Sequence, residues 1–456
     1  MDVHDTAATG AARCPMYDGS FAADPQKVYD YLRAHGPAGP VELAPGVDAT
    51  LVVGHETALR VLQNPNLFAR DGRRWTALND GRVPLDSPVL PMMAYRPNCL
   101  FTDGAQHLRL RKAVTESLDR LNVTRIRRDV EPIAAYLIDQ FSERGRADLI
   151  NDYARLLPML MINKLFGCPA AIGDRVTSAM ADMFDGKDAL KASDELTACF
   201  MELVSLKRRE PGDDITSWLV QHPAGLSDEE LKDQLVMLIG AGVEPERNLI
   251  ANALLLLLDR DGEDGPSMQI EDALDHVLLN NPPIANYATH FPLQDVDLGG
   301  VVVQANSPLV ISFAGANSDP ALASSGQAHS RGAHLAWGAG PHACPAKSPA
   351  QVIAVTAIEL ILNALPDLVL SVPAQELQWR PGPFHRALAT LPVQFSPTPA
   401  TRMASAYGVP TAPRPTVVQQ PQQPQQPQQA ARVAAPAVQK PAKKGFWSSF
   451  LEIFRV

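Results

Sequence analysis

The sequence predicts a mainly α protein with small β sheets, an α+β fold. Its strongest helix pattern is 227–259, which is apolar nearly all round in its second half. Such a helix runs through the centre of a large domain rather than over its surface. Short strand patterns occur early, at 41–43 and 50–53 around a Pro-Gly turn, and late, at 296–303 and 309–313. Strands at both ends of a long helical region indicate small sheets beside a helical body.

The other helices follow from apolar residues at helical spacing. We expect them at 25–34, 55–63, 106–117, 130–144, 150–165, 192–209, 215–221 and 352–365. Pro25 suits the first position of its helix, and Ser348 is expected to cap the last one. These elements place one domain over 1–396.

Composition changes after this domain. Residues 397–444 are rich in Pro, Gln and Ala, which predicts a disordered linker. Residues 445–456 follow a group of lysines and would form an amphipathic aromatic helix with Phe446, Phe450 and Phe454 on one face. That helix suits a membrane surface or a signalling partner.

Charge and cysteine content narrow the function classes. The 456 residues carry a formal net charge of −10, which argues against nucleic acid as a partner. Five scattered cysteines indicate free thiols in a reducing compartment. We recognise no signal peptide and no apolar run of membrane-spanning length. The expectation is a cytoplasmic protein, with the 446–456 segment able to attach it to the inner face of the membrane.

The segment 334–346 contains the candidate chemistry. Cys344 follows a glycine-rich turn and precedes the last helix, so backbone N–H groups of the next turn could point at its sulfur. Such donors tune a thiolate that ligates a metal. Gly338 and Gly340 would leave room for a flat macrocycle. His342 could reach a carboxylate at the edge of such a cofactor.

Two other interpretations of Cys344 stay open at this point. A lone cysteine before a helix is often an inert small apolar residue. A zinc site is the second alternative, although its ligand spacing is unlike the usual paired pattern. Its ligands would be His329, His334, His342 and Cys344.

The segment resembles the cysteine-ligand loop of cytochrome P450 enzymes, where an aromatic residue, two glycines and a basic residue precede the haem thiolate. Trp337, Gly338, His342 and Cys344 occupy four of these positions. The element order over 24–396 is similar to that family as well. The resemblance implies a cytochrome P450 fold with its Cys-ligand loop at 337–346. It also implies haem b (iron protoporphyrin IX) with Cys344 as the metal ligand.

The resemblance also implies residues for the two haem propionates. His107 and Arg111 lie four residues apart on one helix face and match the family's His-x-x-x-Arg pair. His290 stands where a strand of the family usually brings an arginine, and it is a weaker, pH-dependent donor. His342 completes the expected set.

The central helix departs from the family's oxygen-activating pattern. Ala241 and Gly242 would line the oxygen side, and Glu244 matches the family's acid. Pro245 replaces the threonine that follows that acid, so the carbonyl of Ala241 loses its helical partner and a kink is expected. Proton delivery would then use Glu244, water or the substrate.

The Glu-x-x-Arg motif of the family is also missing. His276 and Leu279 stand at its two positions, and the later segment that supports this pair is absent too. Replacing both partners of an ion pair by apolar packing can be neutral, so we expect compensation. This combination is similar to an actinobacterial P450 subgroup, some members of which are linked to small-GTPase signalling operons.

The resemblance implies a monooxygenase that oxidises a lipophilic small molecule with O2 and electrons from a ferredoxin and ferredoxin reductase. The substrate pocket is expected between 76–99, with Met92 and Met93, and 284–289. Redox-partner docking is expected on a basic face formed by Arg109, Lys112, Arg120, Arg125, Arg127 and Arg128. One alternative is a haem-binding sensor or scaffold of a membrane-associated signalling complex. Another is a peroxide-driven enzyme that uses Glu244.

Overall fold

The computed structural model describes residues 13–184, 189–259, 268–324 and 334–400. Residue 329, the predicted linker from 401 onward and the predicted terminal helix lie outside the described residues. The described part is a helical body with small sheets, so the predicted fold class is confirmed.

The strands form three sheets. The largest has six strands in the order β1-β2-β3-β9-β6-β4, and the others have the orders β10-β11-β5 and β7-β8. The strands are β1 Cys14–Pro15, β2 Ala38–Ala44, β3 Val47–Val52, β4 Phe68–Ala69, β5 Arg146–Asp148, β6 Asn286–Pro292, β7 Val296–Asp297, β8 Val302–Val303, β9 Leu309–Ser312, β10 Val369–Leu370 and β11 Pro392–Gln394.

The helices make up most of the described chain. They are α1 Gly19–Ala23, α2 Pro25–His35, α3 His55–Leu62, α4 Thr76–Asn79, α5 Leu90–Met93, α6 Gly104–Leu118, α7 Val123–Asp139, α8 Leu156–Leu165, α9 Ala170–Phe184, α10 Ala189–Arg209, α11 Ile215–Val220, α12 Asp228–Leu258, α13 Ile270–Asn280, α14 Phe313–Asn317, α15 Pro320–Ser324 and α16 Lys347–Ala364. None of the helices in the described ranges is long and apolar enough to cross a bilayer.

Helix α12 joins two parts of the core. Its first half, with Leu235 and Ile239, packs in one apolar cluster with α6, α9, α10 and α11. Its second half, with Ile250 and Leu254, packs in another with α7, α8 and α16. Ser227 caps the helix, and a reciprocal bond with Glu230 completes a capping box. The predicted central helix is therefore confirmed, and it continues through Pro245 to its end at Leu258.

Several expected elements differ in detail. The pattern at 296–303 is a hairpin of β7 and β8, because Gly299 and Gly300 adopt positive φ values of 67° and 92° between them. The expected helix at 150–165 opens with a π-helical segment, Ile150–Ala154. Helix α16 begins at Lys347 after Ala346, so Ser348 lies inside its first turn and the predicted cap is wrong. Helices α9 and α13 were not expected from the sequence.

Candidate active site

The Cys344 loop is a compact turn held by its own backbone. The N–H of Gly338 bonds to the carbonyl of Leu335 at 2.8 Å, and a short 3-10 turn follows at Gly340–His342. The N–H of Cys344 then bonds back to the carbonyl of Trp337 at 2.7 Å. Helix α16 starts three residues after Cys344, so the sulfur stands directly in front of its first turn.

The two glycines of this loop serve different purposes. Both have φ near +69°, a conformation that side chains rarely adopt. A Cβ on Gly338 would meet only backbone atoms of the loop itself, the nearest at 3.7 Å, so this side is open as the sequence suggested. A Cβ on Gly340 would lie 2.2 Å from the carbonyl oxygen of Leu62 at the end of α3. Gly340 therefore permits close contact with α3, a reason for glycine at this position that the sequence did not indicate.

The Cys344 thiol is largely enclosed. Burial raises its pKa, while the N–H of Ala346 and the guanidinium of Arg111 act in the opposite direction. The donation from the following turn thus acts as the sequence analysis expected. A bound cation would keep such a sulfur in its thiolate form.

Histidines and arginines predicted from three separate segments meet beside this loop. The His107 ring from α6 stacks on the His342 ring with centroids 4.0 Å apart. Arg111 donates from Nη2 to the carbonyl of Ala343 and from Nε to Thr115 at 3.1 Å. His290 in β6 is buried, and it is close enough to His342 to help lower the pKa of that imidazole. The structure therefore brings His107, Arg111, His290 and His342 together.

The imidazoles of this group are neutral at ordinary pH. Burial, aided by Arg111 and the guanidinium of Arg70, lowers the pKa of His107 to about 4. Burial and Arg70 also hold the pKa of His290 well below its usual value. His107 Nε2 is buried without a hydrogen-bond partner among the described residues. A buried polar atom of this kind needs a partner, and a ligand carboxylate would supply one.

Arg70 is a member of this group that the sequence analysis missed. Its side chain is buried, and its charge acts on His107, His290 and His342. Neither Arg70 nor Arg111 has a carboxylate within ion-pair distance among the described residues. The sequence offered no spacing signal for Arg70, because it approaches the site from β4.

The middle of the central helix has an exposed strip. Gly240 and Ala241 are exposed, while Ile239 before them and Val243 after them are buried. The place that a Cβ on Gly242 would take is filled by Ile162 of α8, at 2.6 Å. Gly242 therefore allows α8 to pack closely, while Gly240 and Ala241 leave an exposed strip that a flat apolar group can cover.

Glu244 is held in a buried ion-pair group. Its carboxylate bonds to Arg380 and lies 3.2 Å from Nη1 of Arg247. Burial alone would raise the pKa of Glu244, but Arg380, Arg247 and His385 together hold it below the usual range. The carboxylate that a peroxide-driven mechanism requires is thus already engaged with two guanidinium groups.

Glu246 is a second carboxyl that the sequence analysis did not single out. It is buried, and its Oε1 has no hydrogen-bond partner among the described residues. Burial without a nearby cation raises the pKa of Glu246 well above its usual value. When ionised, the Glu246 carboxylate raises the pKa of the Cys344 thiol. Two carboxyls two residues apart therefore favour opposite protonation states.

Asn317 occupies the region where the Glu-x-x-Arg motif is missing. Its Nδ2 donates to the carbonyls of Leu278 and Leu279 at 3.1 and 3.0 Å, at the end of α13. Its Oδ1 accepts from the N–H of Leu335 at 2.8 Å, at the start of the Cys344 loop. One buried amide thus links α13 to that loop.

The basic face is less free than the sequence suggested. Arg109 pairs with Glu230, Arg125 with Asp213, and Arg127 with Glu359. Arg120 lies over the Trp218 ring. Lys112 is exposed, with Glu116 3.8 Å away. These acids within the chain neutralise part of the charge that a docking partner would meet.

The predicted substrate segments do lie together. Tyr287 in β6 donates from its hydroxyl to the carbonyl of Met92 at 2.8 Å. Met93 is buried beside Gly72. In the described residues, which leave out residue 329, we find no group of three or more His, Cys, Asp or Glu side chains that could hold a metal ion.

Comparisons with known proteins decide the family. A scan of the chain against protein-family models gave no match. The chain is 32% identical over 394 residues to cytochrome P450 monooxygenase PikC of Streptomyces venezuelae, covering 82% of this chain and 92% of that protein. The chain belongs to the cytochrome P450 family.

Two further relatives span nearly their whole length. A vitamin D(3) 25-hydroxylase of Pseudonocardia autotrophica is 28% identical, with 86% of this P450 and 99% of the relative covered. The crystal structure of the myxobacterial P450 CYP267B1 in complex with myristic acid superposes with a TM-score of 0.72 at 26% identity. It covers 83% of this chain and 98% of that one. The resemblance to the family found in the sequence is therefore confirmed.

Proposed function

We propose that this P450 is a haem-thiolate monooxygenase that oxidises a lipophilic small molecule. One observation carries the proposal: a cysteine loop lies beside a buried arginine, Arg70, a half-buried arginine, Arg111, and two buried histidines, all from three other segments. Among the described residues these arginines have no carboxylate partner, so the group suits the two carboxylates of haem b. A flat cofactor between the Cys344 loop and the exposed strip at Ala241 would fit this arrangement.

Each residue would hold the cofactor through its own chemistry. Cys344 would be the iron ligand, and Trp337 and Gly338, from the same loop, would pack against the macrocycle. His107, Arg111, His290 and His342 would bind the propionates. Ala241 would contact the macrocycle, and Gly242 would keep α8 close behind this part of α12. When bound, a haem with an axial thiolate supplies the redox chemistry of oxygen activation.

We assign proton supply to the Glu244 group. Its partner Arg380 has a side chain 32% exposed, while Glu244 and Arg247 are buried. The Glu244 carboxylate is therefore buried but bonded to a guanidinium that reaches the solvent. Because Pro245 has no hydroxyl, a proton can pass from solvent to Glu244 and onward through water rather than through a threonine.

Substrate class and electron source extend the same proposal. One relative is a vitamin D(3) 25-hydroxylase, and one solved structure holds myristic acid. Vitamin D(3) and myristic acid are both lipophilic. Met92, Met93 and Tyr287 offer an apolar and adaptable wall for such a molecule. A ferredoxin, reduced by ferredoxin reductase, would deliver electrons at the exposed Lys112 side.

Reconstituted turnover tests this function. Purified protein receives NADPH, ferredoxin reductase, ferredoxin, O2 and lipophilic candidates such as steroids and fatty acids. Product formation that stops when ferredoxin is omitted is the expected result. Failure to oxidise any candidate that shifts the haem spectrum would contradict the proposal and favour the sensor or scaffold alternative.

We also propose a cytoplasmic location with reversible membrane attachment. The basis is the sequence of 445–456, with its aromatic residues at helical spacing after Lys443 and Lys444. Deleting 445–456 should abolish co-sedimentation with anionic liposomes, and unchanged sedimentation would refute attachment.

The absence of Glu-x-x-Arg at His276 and Leu279 supports assignment of this P450 to the actinobacterial subgroup that lacks this motif.

A further inference from the structure

Arg70 directly follows β4, and β4 pairs with β6, the strand that contains His290. Strands β4 and β6 are antiparallel, with Phe68 opposite Pro292 and Ala69 opposite Phe291. Continuing this register places Arg70 opposite His290. Both side chains are about 3% exposed.

The guanidinium of Arg70 is held in place by neutral groups. Its Nη1 donates to the carbonyl of Thr289 at 2.7 Å, and its Nε donates to the carbonyl of Leu100 at 3.3 Å. Its plane lies near the Tyr287 ring, with Cζ 5.8 Å from the centroid. These contacts fix the direction of the group without neutralising its charge.

The nearby carboxylate of Asp103 is used by the backbone. Its two oxygens accept from the amide N–H of Arg70 at 3.0 and 2.9 Å, and one also accepts from the N–H of Asp71 at 3.1 Å. No ion pair joins Asp103 to the Arg70 guanidinium within the described ranges. Asp103 thus acts on the buried Arg70 guanidinium only from beyond ion-pair distance. A buried cation without a contacting anion is costly, so an anion from outside the chain is expected to complete the site.

The position of His290 explains why a second cation is needed. A neutral imidazole at this strand position supplies no permanent positive charge. Arg111, which donates to the carbonyl of Ala343 beside His342, offers one guanidinium for one carboxylate. The second carboxylate of a haem would then face Arg70.

We propose that Arg70 binds one haem propionate and supplies the permanent positive charge that His290 does not. This inference rests on the haem proposal above. The arginine that the family usually has at the position of His290 would thus be replaced by an arginine on the neighbouring segment, and the positive charge at the edge of the cofactor would be kept.

Haem release tests the inference without reference to turnover. Holoprotein is mixed with excess apomyoglobin, and the rate of haem transfer is measured for wild type, Arg70→Gln and Arg74→Gln. Arg74 is exposed on the turn after β4, so it serves as the matched control. Loss of a charge-assisted hydrogen bond should accelerate release from R70Q roughly ten- to a hundredfold. R74Q should match wild type.

Haem dimethyl ester separates a contact with the propionate from a structural role. Its esterified propionates carry no charge, so R70Q and wild type should release it at rates within about twofold of each other. The same large ratio with the ester would overturn the inference, as would equal rates with haem. If R70Q yields no folded protein, Arg70→Lys replaces it, with faster release of haem and no difference for the ester expected.

The outcomes also distinguish the two proposals. Wild-type protein that binds no thiolate-ligated haem would overturn the proposed function and this inference together. Wild type with thiolate-ligated haem, combined with R70Q that retains haem equally well, would overturn only the role of Arg70.

Discussion

Replacing Gly340 by alanine should destabilise the cysteine loop by two separable effects. The backbone at Gly340 has φ +69°, and a side chain there costs about 1–2 kcal/mol. The new Cβ would also lie 2.2 Å from the carbonyl oxygen of Leu62, so α3 or the loop must shift. Overpacking of this kind costs about 1–3 kcal/mol, which brings the total to about 2–5 kcal/mol.

Two matched variants isolate the second effect. Gly338→Ala has the same φ of +69° with its nearest contact at 3.7 Å, and Gly81→Ala has φ +70° with nothing within 4 Å. Gly81→Ala should cost only the backbone term of about 1–2 kcal/mol, and Gly338→Ala should cost that term plus any contact of its new Cβ with the cofactor. At roughly 2 °C per kcal/mol, thermal unfolding of G340A should begin about 2–6 °C below that of G81A.

The same series reports on the cofactor. A shifted loop would misplace Cys344, so haem content per protein should fall in G340A and stay unchanged in the remote variant G81A. Circular dichroism melts and Soret absorbance per protein measure both effects. A melting temperature for G340A equal to that of G81A would refute the reasoning that Gly340 is required by contact with α3.

Two further predictions address buried polar groups. Asn317→Ala should lose the three hydrogen bonds that join Leu278 and Leu279 to Leu335, and should lower stability by about 2–4 kcal/mol in denaturant titrations; a change below about 1 kcal/mol would contradict this linking role. Glu246→Gln tests the raised pKa of that carboxyl. The folded protein favours the protonated form while the unfolded chain ionises above its usual value of 4.5, so wild type loses stability as the pH rises above that value. The variant should be more stable than wild type by a margin that grows with pH above 4.5, by about 1.4 kcal/mol per pH unit while the folded carboxyl stays protonated. A margin independent of pH would show that Glu246 is not held protonated.

The parts of the fold that depend on local sequence could be predicted. The central helix has its capping residues Ser227 and Glu230 and a long apolar pattern in the sequence, and both appear in the structure. The His107–Arg111 spacing placed both residues on one helix face, and both reach the cysteine loop. Helical spacing is fixed by the geometry of a single element, so one segment is enough to reveal it.

Contacts between distant elements could not be predicted in this way. Arg70 meets Thr289 only because β4 and β6 pair in one register, and no local pattern records that register. Glu244 and Glu246 stand in nearly the same sequence environment. Two residues along an α-helix are turned by roughly 200°, so one carboxyl faces Arg380 and the other faces away from cations.

The spectrum of the reduced protein under carbon monoxide tests the axial role of Cys344 most directly. Wild type and Cys168→Ala, a buried cysteine in the apolar cluster of α9 and α10, should both show the red-shifted Soret band of a thiolate-ligated haem. Cys344→Ala should lose that band while its circular dichroism stays that of a folded helical protein. Retention of the thiolate-type band by C344A would contradict the assignment of Cys344 as the metal ligand.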